Sequence, residues 1–179
     1  MSFEDNERRK QEIFGRPLAD KIYRDVFGQD IQIHRMDRKD NLVLDIRFAI
    51  DVKLVLFNGQ ILLGQEKFLS HKYANFQTVT VEYLQDPITG EKGDWFKLAA
   101  QFYFVGYITQ KQDGFEPWIL LNWANVVIAT DRHEIKWEDK GNTKTAARAT
   151  FKCCNMNKFP ADCVIAQCPM LSKISPRQY

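Results

Sequence analysis

Long apolar runs are missing from this 179-residue chain. Its best candidates, residues 54–57 and 102–105, are strand-sized, against the ~18 residues a membrane-crossing helix needs. The opening Met-Ser-Phe-Glu-Asp-Asn-Glu-Arg-Arg-Lys lacks the apolar stretch of a secretory leader. A soluble, intracellular, cytoplasmic protein with no membrane partner is therefore expected. Glycine and proline are scarce, at 9 and 6 residues, which excludes collagen-like, linker and low-complexity chains. Histidine is scarcer. His34, His71 and His133 stand far apart, none in a metal-ligand pair such as His-x3-His, and Ser70-His71 has no acid partner for a triad. No Gly-x4-Gly-Lys-Ser/Thr phosphate loop occurs, which argues against a P-loop nucleotide hydrolase. A charge excess is missing too. With 25 Lys+Arg against 23 Asp+Glu the formal net charge is +2, so uniform basicity gives no argument for a nucleic-acid partner.

Cysteine is present but in the wrong spacing for a strong metal motif. Cys153, Cys154, Cys163 and Cys168 all fall in residues 153–168 without paired Cys-x2-Cys knuckles. In a reducing compartment free thiols are favoured over disulfides and over a structural Zn²⁺ site.

What the chain does have is the material of one folded domain. Hydrophobic residues make up 45%, aromatics 13% and charged residues 27%, enough to bury about 70% of the unfolded surface. Apolar positions Ile13, Leu18, Ile22, Val26 and Phe27 predict a helix over residues 7–28, stopped by Gly28. Period-two alternation predicts strand over residues 41–50, continuing through 51–57. Asn58-Gly59 signals a two-residue hairpin turn returning over 60–69. Further strands are predicted over 78–84, 102–108 and 118–129, with a loop over 85–94, a short helix capped by Asp94, and a turn at Asp113-Gly114. Residues 143–153 read as helix. This order of elements predicts an α+β fold, a mixed β-sheet with flanking helices.

A two-residue turn at Asn58-Gly59 would place Asp51 opposite Glu66 and Val52 opposite Gln65, with Gln65 and Lys67 on one face. The open end of the hairpin would then gather Asp51, Gln65, Glu66 and Lys67. This Asp51-x13-Gln65-Glu66-Lys67 pattern resembles the active-site signature of the restriction-endonuclease-like, or PD-(D/E)xK, nuclease superfamily. The likeness covers roughly residues 7–108 in order of elements, although only a few residues carry the motif. Gln65 stands where the superfamily has an acid, and Ile50 where it has proline.

The resemblance implies a restriction-endonuclease-like core and Mg²⁺- or Mn²⁺-dependent hydrolysis of DNA, with a homodimer as a possible assembly. Mg²⁺ takes oxygen ligands and keeps several waters beside one or two carboxylates. Asp51 would hold it, Gln65 would add a neutral carbonyl, and Glu66 and Glu12 are further candidate ligands. Lys67 would stabilise developing negative charge. Asp20 is an alternative to Glu12 as the helix acid, and Glu82 an alternative to Gln65. Gln101 reads as a hydrogen-bonded core amide rather than a nucleotide contact.

The small net charge hides an asymmetry. From Lys140 onward there are seven Lys/Arg against the one acid Asp162, whereas residues 1–139 hold 18 basic and 22 acidic residues. The chain therefore divides into a nuclease-like core, 1–139, and a basic, cysteine-containing segment, 140–179, packed on the same domain. Lys140, Lys144, Arg148 and Lys152 recur every fourth residue and would form one basic stripe on a helix, suited to a phosphate backbone. The alternatives to an enzyme are a non-catalytic nucleic-acid-binding or assembly protein on the same fold, and a small interaction domain carrying the motif by accident.

Overall fold

A computed structural model describes residues 3–36, 44, 47–141 and 149–168. Helix α1 (Phe3–Phe27) contains Pro17 and ends at Gly28, whose φ of +114° and N–H bond to the Arg24 carbonyl (3.0 Å) close its last turn. Its inward face has Gly15 against the Phe68 ring, then Ala19, Ile22, Tyr23 and Val26, a helical spacing of three and four.

That face covers a mixed sheet in the order β1-β2-β3-β6-β7-β10, comprising β1 (Gln32–Arg35), β2 (Val52–Val55), β3 (Ile61–Ser70), β6 (Phe102–Ile108), β7 (Phe115–Asn122) and β10 (Val164–Gln167). β3 and β6 run parallel and the other pairs antiparallel. The second sheet, β5-β4-β9-β8, is antiparallel: β4 (Thr78–Asp86), β5 (Glu91–Lys92), β8 (Glu138–Gly141) and β9 (Thr150–Asn155). Every residue of β6 is buried, because it has a packed layer on both sides. Phe102, Phe104 and Ile108 point into the core shared with α1. Tyr103, Val105 and Tyr107 join a second core with Val79 and Val81 of β4, Cys154 of β9, and helix α2 (Trp123–Asp131). The α+β class and the mixed sheet follow directly.

Five expectations change. Within 41–50 the described Leu44, Arg47 and Phe48 are helical, not strand. The missed strand β1 takes the place beside β2 that an extended 41–50 would have filled, with Arg35 opposite Val52. Residues 123–129 are helix. Asn122 ends β7 and caps α2 by accepting from the Asn125 N–H (3.3 Å), and a short apolar run alone does not separate buried strand from buried helix. Finally, the predicted helix over 143–153 gives way to β9 from Thr150 onward, held by ladders on both sides. The Asp94 helix shrinks to a single 3-10 turn, Asp94–Phe96, and β5 forms inside the predicted loop.

Residue 140 lies inside β8, and β9 and β10 from the C-terminal segment pair within the two sheets. Cys153, Cys154, Cys163 and Cys168 are free thiols, and burial foremost pushes Cys154 and Cys163 up to about 11. No helix among the described residues is long and apolar enough to cross a membrane.

Candidate active site

The β2–β3 hairpin turns through three residues, not two. Leu56 N–H bonds the Gln60 carbonyl (2.8 Å), Asn58 Oδ1 accepts from Gln60 N–H (3.0 Å), and Gly59 takes φ +80°. Register therefore shifts by one, with Val52 opposite Gly64 rather than Gln65. Gly64 is needed there, since a Cβ would lie 2.1 Å from the Phe102 ring.

Beyond Gly64 the β2 ladder ends while β3 continues for six residues. Asp51, just before β2, ties the divergence. Its N–H donates to the Gly64 carbonyl (2.9 Å), and its carboxylate accepts from the Glu66 N–H (3.0 Å). The side chain thus takes the place on the β3 edge that a longer β2 would have filled, satisfying a donor otherwise left unpaired. Asp51 and Glu66 do meet, by a carboxylate-to-backbone bond rather than as cross-strand neighbours.

β3 alternates between two environments. Glu66 and Phe68 face α1. Lys67 reaches the other way, donating to the Thr80 carbonyl of β4 (3.3 Å) and lying over the Phe151 ring of β9 (5.1 Å). Gln65 pairs in register with Tyr103, which also donates to Thr80 O (2.9 Å). Gln65 Oε1 is buried and has no hydrogen-bond partner.

The Glu66 carboxylate is 3% exposed. It accepts from the Tyr23 hydroxyl (2.8 Å) and meets Arg35 Nη2 (3.3 Å), which also pairs with Asp20. Burial raises Glu66 from 4.5 to about 7, a rise that Arg35 and the Tyr23 hydrogen bond oppose and Asp51 and Asp20 support. Burial foremost, then the Glu66 charge, raises Tyr23 as well. Arg35 Nε and Nη1 are buried without partners.

These features border one cavity of about 370 Å³. Asp51, Gln65, Glu66 and Lys67 form one wall, Glu12 of α1 a second, and Glu82 with Phe151 a third. Glu82 and Phe151 are cross-strand partners, so β4 and β9 present them together. Glu12 is 3.6 Å from Arg16, which also lines the cavity. Among the described residues no three His, Cys, Asp or Glu side chains come close enough to hold one metal ion.

Neither a known protein family, a curated protein sequence nor a solved structure matches the chain.

Other expected residues lie elsewhere. Gln101 forms a two-way bridge to the Leu63 backbone, its Oε1 accepting from Leu63 N–H (2.6 Å) and its N–H donating to Leu63 O (2.7 Å). It is exposed, not a core amide. Lys140 pairs in register with Phe151, and Lys152 with Asp139, so the two lysines project from opposite faces of their sheet rather than from one helical stripe. Lys144 and Arg148 lie outside the described residues. Sequence reasoning missed Asp94 and Tyr103 on the cavity wall, and Tyr23 and Arg35 behind it. Tyr103 was signalled only by its place in a strand; Arg35 had no signal while β1 went unread.

Proposed function

We propose that the cavity is the active site of a metal-dependent nuclease hydrolysing DNA phosphodiester bonds, on a core of the restriction-endonuclease-like type. The observation that carries this is Gln65 Oε1, an amide oxygen buried without a donor, on a residue that lines the same cavity as Asp51 and Lys67. An unsatisfied buried oxygen is costly, and a hard cation is one ligand that would satisfy it.

The donor set fits Mg²⁺ or Mn²⁺ bound through few protein ligands and several waters, which is Mg²⁺'s usual habit and needs no group of three acids. Asp51 and Gln65 would hold the ion, whose chemistry is to polarise a phosphate and make bound water nucleophilic. Glu12 and Glu82, on the facing walls, are suited to orient that water or accept its proton. Lys67, fixed by the Thr80 carbonyl and the Phe151 ring, would stabilise charge developing on the phosphate. Glu66 is engaged with Tyr23 and Arg35, so its role here is positional: its N–H fixes Asp51 and its carboxylate anchors β3 to α1.

The test is cutting of plasmid DNA with Mg²⁺ or Mn²⁺. Asp51→Ala and Lys67→Ala should each lower the rate by roughly a hundredfold or more, the scale of a lost electrostatic group. Unchanged cutting by both variants would reject the assignment. Gln65 in place of an acid favours one second reading, a DNA-binding or assembly protein that does not cut. That reading predicts salt-sensitive DNA binding without cleavage.

A further inference from the structure

A second cavity, of about 280 Å³, lies between α1 and the C-terminal ends of β3 and β6. Gln11 of α1 borders both cavities. β3 runs from one to the other: Gln65, Lys67 and Leu69 line the first, Ser70 and the following His71 the second. At about 3.3 Å per residue, Ser70 stands about 17 Å along β3 from Gln65. Over that stretch no described strand pairs with the outer edge of β3, because the β2 ladder ends at Gly64.

The two linings differ in kind. The first carries several acids with Lys67 and Arg16. In the second the charged residues Glu7 and Lys10 pair with each other (3.5 Å), which leaves the amides of Gln11, Gln110 and Gln112 among the polar groups. Ile108 and Phe14 supply the apolar part of the wall. The turn between β6 and β7 sets Gln110 and Gln112 there. It closes through the Gln112 N–H to the Thr109 carbonyl (3.0 Å) and the Thr109 N–H to the Gly114 carbonyl (2.9 Å), with the Thr109 hydroxyl donating to Asp113 Oδ1 (2.7 Å). Gln112 takes φ +60°, a backbone region where glycine or asparagine sits with less strain. The chain keeps a long amide side chain at that position despite the strain.

We infer that the second cavity is a subsite for one nucleobase of the strand whose phosphate occupies the first, with Gln11, Gln110 and Gln112 meeting its hydrogen-bonding edge. An amide presents a donor and an acceptor side by side, the arrangement that matches the edge of a base. A lining whose formal charges are paired offers little to a phosphate or a metal ion, and suits a neutral ligand with both donors and acceptors. The base enters unpaired or turned out of its helix, since a paired base keeps that edge engaged. In naming the strand the inference rests on the nuclease reading; the lining and the ligand chemistry it selects stand apart from it.

The experiment is an NMR titration of the ¹⁵N-labelled full chain, in EDTA so that nothing is cut, with each deoxynucleoside and with deoxyribose. At least one nucleoside should shift the side-chain amide signals of Gln110 and Gln112 saturably, and deoxyribose should not. Gln112→Gly removes one amide from the wall and relaxes the backbone, so it should keep the melting temperature while weakening that nucleoside about tenfold, the scale of a two-bond base contact. A single-stranded hexanucleotide of the same base should bind at least about tenfold more tightly than the nucleoside, because it reaches both cavities. No shift at these glutamines, an equal shift with deoxyribose, unchanged affinity in Gln112→Gly, or a hexanucleotide no tighter than the nucleoside would overturn the subsite. Mn²⁺-dependent cutting without nucleoside binding sinks the subsite alone. Nucleoside binding at these glutamines, in a protein that never cuts DNA, sinks the nuclease reading alone.

Discussion

At the residue scale, Gln65 and Glu66 are neighbours with opposite duties. Replacing Gln65 by leucine removes a buried oxygen with no partner, so the metal-free protein should gain about 1–2 kcal/mol in urea unfolding while losing metal affinity. Gln65→Glu should instead tighten Mn²⁺ roughly tenfold in calorimetric titration, because ligand charge sets affinity for hard cations. If both variants left Mn²⁺ binding untouched, Gln65 would not be a ligand. Glu66 gives a pH signature. Its folded value of about 7 exceeds the ordinary 4.5, so between those limits the folded chain keeps a proton the unfolded chain has lost. This contribution to stability is most favourable below pH 4.5, falls as pH rises through the window, and reaches its full cost above 7. The melting temperature of the wild type relative to Glu66→Gln, measured in chelator, should therefore drop between pH 4.5 and about 7; a flat difference would contradict the shift. The sequence motif named Asp51, Gln65 and Lys67 as neighbours, and all three border one cavity. It could not disclose that Glu66 is occupied by Tyr23 and Arg35, since that depends on α1 docking against β3.

At the scale of elements, the strands with strict local signals were legible. β6 was read at its observed ends, 102–108, because a continuous apolar run there is buried on both faces. The hairpin was legible in place but not in register. Asn58-Gly59 suits both two- and three-residue turns, and only the bond from Leu56 N–H to Gln60 O selects the longer one. Gly59→Val should consequently cost about 1 kcal/mol or more, since a β-branched residue is strained at φ +80°. Elements decided by distant contacts were illegible. β1 has four residues with no apolar alternation long enough to read, and β9 gains its conformation from β4 and β8. The Gly64–Phe102 pair of neighbouring strands β3 and β6 makes a sharper test. Gly64→Ala drives a Cβ into the Phe102 ring and should destabilise by roughly 1–3 kcal/mol, with Phe102→Leu recovering part of the loss in the double variant.

At the scale of the whole molecule, two cores on opposite sides of one sheet fix the cavity's three walls. α1 brings Glu12, the β2–β3 divergence brings Asp51, Gln65 and Lys67, and the second sheet brings Glu82. The proposed catalysis draws on all three layers, so loss of α1 packing should abolish DNA cutting along with stability. The charge asymmetry along the chain does not become a single helical stripe, because Lys140 and Lys152 lie on adjacent strands. The most direct measurement is the rate of DNA cutting by the wild type and Asp51→Ala with Mn²⁺ and with EDTA. Cutting that requires Mn²⁺ and falls at least about a hundredfold in Asp51→Ala is the predicted result; cutting that persists in EDTA, or is equal in the two proteins, contradicts it.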